Sequence, residues 1–313
     1  MLKYFYFFQR PLIIFFSHKS FPFYGRTPRH LYFHAKACYN ELGNDRFGAG
    51  AFPLCSALQT TLCEVTMKYF WETTGSIKKG LGFSHWSPTH LLWLLACILI
   101  CLVACLLYRR CSRSGRRIWR FSVAALIVFN ELLKTVILLV VGRYTKNYLP
   151  LHLCTVNIFL IALHALKPFR MLDNFLYAFC IPAAAMALAF PSWTKLPFAN
   201  FMHWHSFTLH ILLLLYPLML TVGGEIKPHP RELPKALGLL LLLAIPAYAV
   251  NRLLGTNYMF LMKAPKGNPL YWFGQSWGNH LLGIPVILLP LLTALYLPWV
   301  LARRGLPART TDS

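Results

Sequence analysis

The amino-acid sequence predicts an all-α, polytopic membrane protein folded as a helical bundle of about seven transmembrane helices. Of the 313 residues, 57% are hydrophobic and only 13% are charged, whereas soluble domains usually contain about 25% charged residues. The hydrophobic residues are also gathered into long runs, which a bilayer requires. These observations argue against a water-soluble globule, a disordered chain and a disulfide-stapled miniprotein.

Seven apolar runs are long enough to cross a bilayer, for which a helix needs roughly 17 to 25 apolar residues. We number them spans one to seven. They cover Leu91–Tyr108, Phe121–Val141, Tyr148–Leu166, Leu172–Phe190, Phe201–Val222, Ala236–Leu254 and Asn279–Leu301. Proline or glycine follows several of these runs, as is typical where helices stop.

The distribution of basic residues predicts the orientation. Fourteen Lys and Arg residues lie on the side that holds the loops after spans one, three and five and the C-terminus, and eight lie on the other side. Cytoplasmic loops are enriched in basic residues. We therefore expect a multi-pass protein of the cell membrane with a cytoplasmic C-terminus. The topology then accounts for the formal charge of +22, and we expect no nucleic-acid partner.

The chain divides into four parts in our interpretation. Residues 1–66 mix Phe-rich clusters with scattered basic residues and show no clear period. We interpret them as an over-extended gene start, with a poorly structured extension as the alternative. Residues 67–90 form a lead-in that begins at Met67, residues 91–301 form the transmembrane domain, and residues 302–313 form a cytoplasmic tail.

Span two contains two charged residues at membrane depth. Glu131 and Lys134 are three residues apart and therefore share a helix face. An ionisable residue inside a membrane is expensive, and its presence is a hypothesis of function. Two interpretations remain open: a structural ion pair that joins neighbouring helices, and a carboxylate that orients a histidine from another span.

Span three has the highest density of polar residues. Cys154 and Asn157 are three residues apart and share a helix face, and His152 precedes them. Unpaired polar groups in hydrocarbon are costly. We therefore expect His152 to face His210 of span five, with Glu131 within reach of one of the two histidines.

Two further patterns receive structural interpretations. Cys97, Cys101 and Cys105 repeat on one face of span one, and we interpret them as a packing seam of small residues rather than a metal site. The arginine-rich run from Arg109 to Arg120 is interpreted as a loop that sets the topology, although such a run can also bind anionic head groups. We expect no metal and no cofactor.

Several strings resemble the bacterial YwaF-like integral membrane family. The most specific is Leu149–Cys154, and Asn257–Leu261 and Ser87–Leu92 support it. The resemblance covers roughly residues 67–301. This bacterial family is similar to the eukaryotic transmembrane protein 164 family, whose animal members are acyltransferases that remodel the acyl chains of phospholipids. The resemblance therefore implies membrane lipids as partners.

The eukaryotic family has an Asn-Pro-Cys-His-Leu string near its third span and a later His-(x)6-Pro element. His152 matches the histidine of the string, and His210 matches that of the second element. The cysteine of the string corresponds to Leu151. The resemblance thus implies a substitute nucleophile one helical turn away, either Cys154 or, more weakly, Thr155.

Two functions from different classes compete. In the first, Cys154 attacks a lipid ester, His210 or His152 acts as the general base, and Glu131 or Asn157 orients that histidine, following the logic of a catalytic triad. In the second, the buried Glu and His residues form the path of a proton-coupled carrier or solute-binding protein. A membrane scaffold with polar contacts between helices is a third, simpler possibility, and the sequence does not reveal the oligomeric state.

Overall fold

The computed structural model describes residues 69–77 and 80–304, all of which lie in the second of two compact units, residues 59–313. Our interpretation of residues 1–66, like that of the last nine residues of the tail, lies outside the described residues. Seven of the described helices are long and apolar enough to cross a membrane. The prediction of an all-α bundle with seven spans is confirmed.

We number the longer helices α1 to α8 in chain order. Their bounds are Pro88–Arg110, Arg113–Val140, Leu153–Leu166, Arg170–Ala189, Phe201–Val222, Leu233–Leu254, Pro269–Trp277 and Gly283–Arg304. All except α7 are candidate spans. Short 3-10 turns precede α3, α6 and α8.

The arginine-rich run is helical on both sides of a short break at Cys111 and Ser112, which corrects our interpretation of it as a loop. The helix α2 begins at Arg113, about two turns before the expected start at Phe121. Ser112 caps it by accepting a hydrogen bond from the N–H of Gly115, and arginine has a high helix propensity. The apolar run that defined span two is thus shorter than its helix. Arg113 and the arginines after it share a helix face.

The helix α3 begins at Leu153, five residues later than the start that we expected at Tyr148. Proline disfavours helical backbone in the residue before it and has no N–H to donate, so Pro150 keeps this entry segment irregular. His152 therefore caps the helix in extended conformation. Cys154 consequently lies in the first turn of α3 rather than in its middle.

The helix α4 contains one wide turn, Leu176–Cys180, in which Ile181 donates to the carbonyl five residues earlier. Pro182 follows directly and has no N–H for the carbonyl of Ala178. A wider turn next to a proline accommodates such a missing donor.

The helix α5 forms the centre of the bundle. In the most apolar 18-residue stretch of α5, 67% of the residues are buried. The corresponding share is 61% for α4 and at most 33% for the other spans. It packs against α1, α2, α3 and α4. A buried polar side chain on α5 is therefore costly unless it has a partner inside the protein.

The segment between α6 and α8 is ordered by one buried amide. The side chain of Asn251 accepts from the N–H of Tyr258 (2.6 Å) and from the hydroxyl of Thr256 (2.9 Å), and donates to the Tyr258 carbonyl (3.0 Å). The Tyr258 hydroxyl donates to the carbonyl of Lys146. Burial raises the pKa of this phenol, so it remains a donor at neutral pH. These bonds bring Tyr258 and its neighbours against the entry to α3.

Candidate functional site

Three described histidines use both ring nitrogens in hydrogen bonds and have structural roles. His203 donates from Nδ1 to the carbonyl of Leu196 (3.2 Å) and accepts at Nε2 from the indole of Trp93 (2.9 Å). His90 and His164 are likewise bonded at both nitrogens. Their hydrogen-bonding capacity is used within the fold, which leaves other histidines as candidates for chemistry.

His210 has one ring nitrogen held and the other available. Its Nδ1 lies 2.7 Å from the carbonyl of Ser206. Because a carbonyl only accepts, Nδ1 bears the proton and Nε2 has a free lone pair. The ring also stacks on Trp193, with 5.0 Å between centroids. A histidine fixed in this tautomer meets the structural requirement for a general base.

Glu131 joins two basic side chains in the core. The ammonium group of Lys134, with only 4% of its surface exposed, donates to one oxygen of Glu131. The other oxygen lies 3.5 Å from Nε2 of His205. The ion pair considered from the sequence is therefore present. The histidine next to it is His205, whereas we expected His152 or His210.

His152 packs against two aromatic rings. The centroid of its ring lies 5.1 Å from that of Tyr258 and 5.8 Å from that of Phe260. No ring contact between His152 and His210 is present among the described residues, and the expected facing arrangement of these two histidines stays a prediction. The two rings nevertheless lie within electrostatic range of each other and of Glu131.

Cys154 lies at the positive end of a helix. It is the second residue of α3, in the turn whose backbone N–H groups have no partner within the helix. Within the part of the chain that the structure describes, no hydrogen bond joins this sulfur to a histidine. The hydroxyl of Thr155 is already used, since it donates to the carbonyl of His152 (3.0 Å).

Asn157 lies one turn further along the same face of α3 and is 1% exposed. Its carbonyl oxygen has no hydrogen-bond partner among the described residues. The same holds for Nδ1 of His205, whose Nε2 lies next to Glu131, and for the indole N–H of Trp193. An unpaired buried polar group costs about 1–3 kcal/mol. A cluster of such groups is unusual in a core and is suited to binding a polar ligand.

Four of the five predicted site residues, Glu131, Cys154, Asn157 and His210, lie on α2, α3 and α5, and these three helices pack together in one region of the bundle. His152 borders this region from the loop before α3. We call the region the polar cluster and define it by Glu131, Lys134, Cys154, Asn157, His205 and His210. The described residues include no group of His, Cys, Asp and Glu side chains arranged to hold a metal ion.

Sequence reasoning missed His205 and Trp193 as parts of this region. The signal for His205 was its place among three histidines within eight residues of α5. Its contact with Glu131 depends on the rotation of α5 against α2, which no local spacing reveals. Trp193 lies outside the helices, in the loop before α5, and nothing in the sequence marks its contact with His210.

Comparison with known proteins identifies the family. The TMEM164 family matches residues 85–296, about two thirds of the chain. No curated protein and no solved structure matches the chain. The chain belongs to the TMEM164 family. The resemblance to the transmembrane protein 164 family is confirmed, and the narrower YwaF-like label stays a prediction.

Proposed function

Taking this family membership as the premise, we propose that the protein is a membrane acyltransferase that transfers acyl chains between membrane phospholipids. One observation supports the proposal above all. Cys154 in the first turn of α3 and His210 of α5, whose Nε2 has a free lone pair, lie on two helices that pack against each other. Thiol and imidazole are the two groups that nucleophilic acyl transfer requires.

The proposed first step is attack by Cys154 on the ester carbonyl of a phospholipid. The thiol proton passes to Nε2 of His210 as the carbon–sulfur bond forms. The tetrahedral intermediate then collapses, its carbon–oxygen bond breaks, and His210 returns the proton to the departing lysophospholipid oxygen. The product of this half-reaction is an acyl thioester on Cys154.

The second half-reaction reverses the first on a different acceptor. A lysophospholipid hydroxyl attacks the thioester, His210 accepts its proton, and the carbon–sulfur bond breaks. The proton then restores the thiol of Cys154. No oxidant or energy source is needed, because one ester is exchanged for another.

The remaining residues of the polar cluster have supporting roles in this proposal. The backbone N–H groups of the first turn of α3 have no partner within the helix, and they are suited to stabilise an oxyanion on the carbonyl that Cys154 attacks. Glu131 orients His205 and neutralises Lys134, which keeps the charge of the cluster balanced. Asn157 orients the base or the substrate through its side-chain amide.

The substrate is proposed to enter from the membrane. The polar cluster lies on three transmembrane helices, and α3 also has apolar side chains exposed on its outer face, Phe159 and Leu163. Acyl chains can therefore approach without leaving hydrocarbon. We retain the cell membrane as the location and the cytoplasmic C-terminus as the orientation, on the evidence of the basic residues.

An acyl-exchange assay tests the proposal. The purified protein in phosphatidylcholine vesicles receives a phospholipid with an isotope-labelled acyl chain and an unlabelled lysophospholipid, and mass spectrometry follows transfer of the label. We expect Cys154→Ala to abolish transfer. Cys111→Ala is the matched control, since this cysteine lies between α1 and α2 and its thiol donates to the Leu107 carbonyl. Full activity in Cys154→Ala would refute the assignment of the nucleophile.

A carrier is the second candidate, and the buried chain of Lys134, Glu131 and His205 favours it. Linked ionisable groups at membrane depth can pass protons. A carrier predicts that Glu131→Gln stops proton uptake into vesicles while Cys154→Ala has no effect. Acyl transfer predicts the reverse sensitivity to Cys154→Ala.

A further inference from the structure

A second polar region lies at the opposite end of α2 from the polar cluster. A cavity of about 510 Å³ opens there. One wall is formed by four arginines of α2, Arg113, Arg116, Arg117 and Arg120. Their spacing of three, four and seven residues places all four on one face of the helix. We call this cavity the arginine cavity.

Two of the four arginines are used within the fold. Arg116 donates to the carbonyls of Gly223 (2.7 Å) and Arg109 (3.0 Å), and so connects α2 to the ends of α5 and α1. A guanidinium nitrogen of Arg120 lies 3.9 Å from Glu225. These two side chains have structural partners.

The other two arginines are available to a ligand. Arg113 and Arg117 are exposed, and neither forms a hydrogen bond or an ion pair with any residue that the structure describes. The guanidinium of Arg117 lies over the ring of Phe121, 5.8 Å from its centroid, and its N–H groups are still available. They are one helical turn apart, so their charges repel each other. Arg113 is also the first residue of α2, where the helix dipole adds positive charge.

The acidic groups that line the cavity do not neutralise these arginines. Asp173 accepts a hydrogen bond from His164 (2.8 Å), and Glu225 accepts one from the hydroxyl of Tyr108 (2.5 Å). Four arginines face two carboxylates. The arginine cavity therefore has an excess of positive charge, which suits a phosphate group because guanidinium binds phosphate with two parallel hydrogen bonds.

An apolar groove borders the same end of the bundle. It measures about 310 Å³, and side chains of α1 and α5 line it, among them Leu102, Leu106 and Leu218, with Arg109 at its polar edge. Arg116 of the arginine cavity donates to the Arg109 carbonyl, so the two features are neighbours. A cationic cavity beside a lipid-facing apolar groove matches the two halves of a lipid.

We propose that the arginine cavity binds the phosphate group of an anionic membrane lipid, with an acyl chain in the adjacent groove. This site is distinct from the polar cluster. Eighteen residues of α2 separate Arg113 from Glu131, which at 1.5 Å per residue is roughly 27 Å along the helix. The proposal does not depend on acyl transfer.

Native mass spectrometry of the purified full chain tests it. The protein is titrated with phosphatidate, phosphatidylcholine or inorganic phosphate. We expect phosphatidate to bind more tightly than the other two. We expect the double variant Arg113→Gln/Arg117→Gln to weaken its binding by at least about tenfold, since charge-assisted hydrogen bonds contribute this order of affinity. Arg252→Gln, which removes an exposed arginine of α6, is the matched control and should bind as the wild type does.

Three results would overturn the proposal. Unchanged phosphatidate binding in the double variant would exclude the arginine cavity as the site. Equal binding of phosphatidylcholine would show that the anionic phosphate is not recognised. Inorganic phosphate binding as tightly as phosphatidate would assign the cavity to a soluble ligand instead of a lipid. Thermal unfolding controls for folding. It should change little, because the double variant removes no hydrogen bond or ion pair among the described residues and loses a single exposed contact, that of Arg117 with the Phe121 ring.

Discussion

The two ends of α2 satisfy their polar groups in opposite ways. At the arginine end the acidic side chains are hydrogen-bonded, as in the pairs Tyr108–Glu225 and His164–Asp173. The groups that remain available there are cations on the surface. In the polar cluster the unpaired groups are buried, and the described residues offer no hydrogen-bond partner to Asn157 Oδ1.

This difference bears on what each end of α2 is suited to do. Exposed cations around a cavity cost the fold little and attract an anion from outside the core. Buried unpaired groups cost stability, about 1–3 kcal/mol each, and proteins accept such costs chiefly at functional sites. The arginine end is therefore suited to binding a charged ligand, and the polar cluster to converting one.

The largest effect on stability is expected from Glu131→Gln. The substitution leaves the ammonium group of Lys134 buried without a counter-charge, and breaking a buried ion pair typically costs about 3–5 kcal/mol. Unfolding in mixed micelles measures the loss. Glu232→Gln is the matched control: Glu232 pairs with Lys235 at the same spacing, but Lys235 is 64% exposed, so we expect less than about 1 kcal/mol. Equal losses would contradict the account of the polar cluster.

A second prediction distinguishes His210, which has one ring nitrogen without a hydrogen bond, from His203, whose two ring nitrogens are both hydrogen-bonded. His210→Gln should lower the rate of acyl transfer by at least about a hundredfold, the usual contribution of a general base. His203→Gln should instead lower stability by about 1–3 kcal/mol, because both ring nitrogens of His203 are bonded in the fold. Transfer rates are normalised to the amount of folded protein. If His203→Gln reduced the normalised rate as much as His210→Gln, the distinction would fail.

The smallest effect is expected at the arginine end. Asp173→Asn weakens the bond to His164 but keeps the shape of the side chain, and His164 remains bonded to Tyr216 (3.0 Å). We expect a loss of about 1 kcal/mol, with the normalised transfer rate unchanged. Thermal unfolding and the acyl-exchange assay measure the two quantities. A large loss of activity would link this end of the bundle to the chemistry.

The seven spans could be predicted because a bilayer requires long apolar runs, and hydropathy reports these directly. The starts of helices were less predictable. The polar first turns of α2 have no apolar signal, and the expected start of span three ignored the effect of Pro150 on the backbone. The nine-residue helix α7 is too short to stand out in an apolar window.

The polar cluster was predictable where spacing is local. Glu131 and Lys134 are three residues apart on one helix, and their pairing follows from helix geometry. The partner from α5 was not predictable, because the choice between His205 and His210 depends on how the packed helices are rotated. The same applies to Cys154, whose place in the first turn of α3 follows from the irregular backbone before it.

Trapping of the covalent intermediate tests the central claim most directly. The wild-type protein is incubated with a phospholipid donor without acceptor, quenched in acid, digested and analysed by mass spectrometry. The account predicts an acyl group on the peptide that contains Cys154, removed by neutral hydroxylamine as a thioester is. The same peptide of Cys154→Ala should remain unmodified. Absence of acylation on Cys154, or equal acylation of Cys111, would contradict the account.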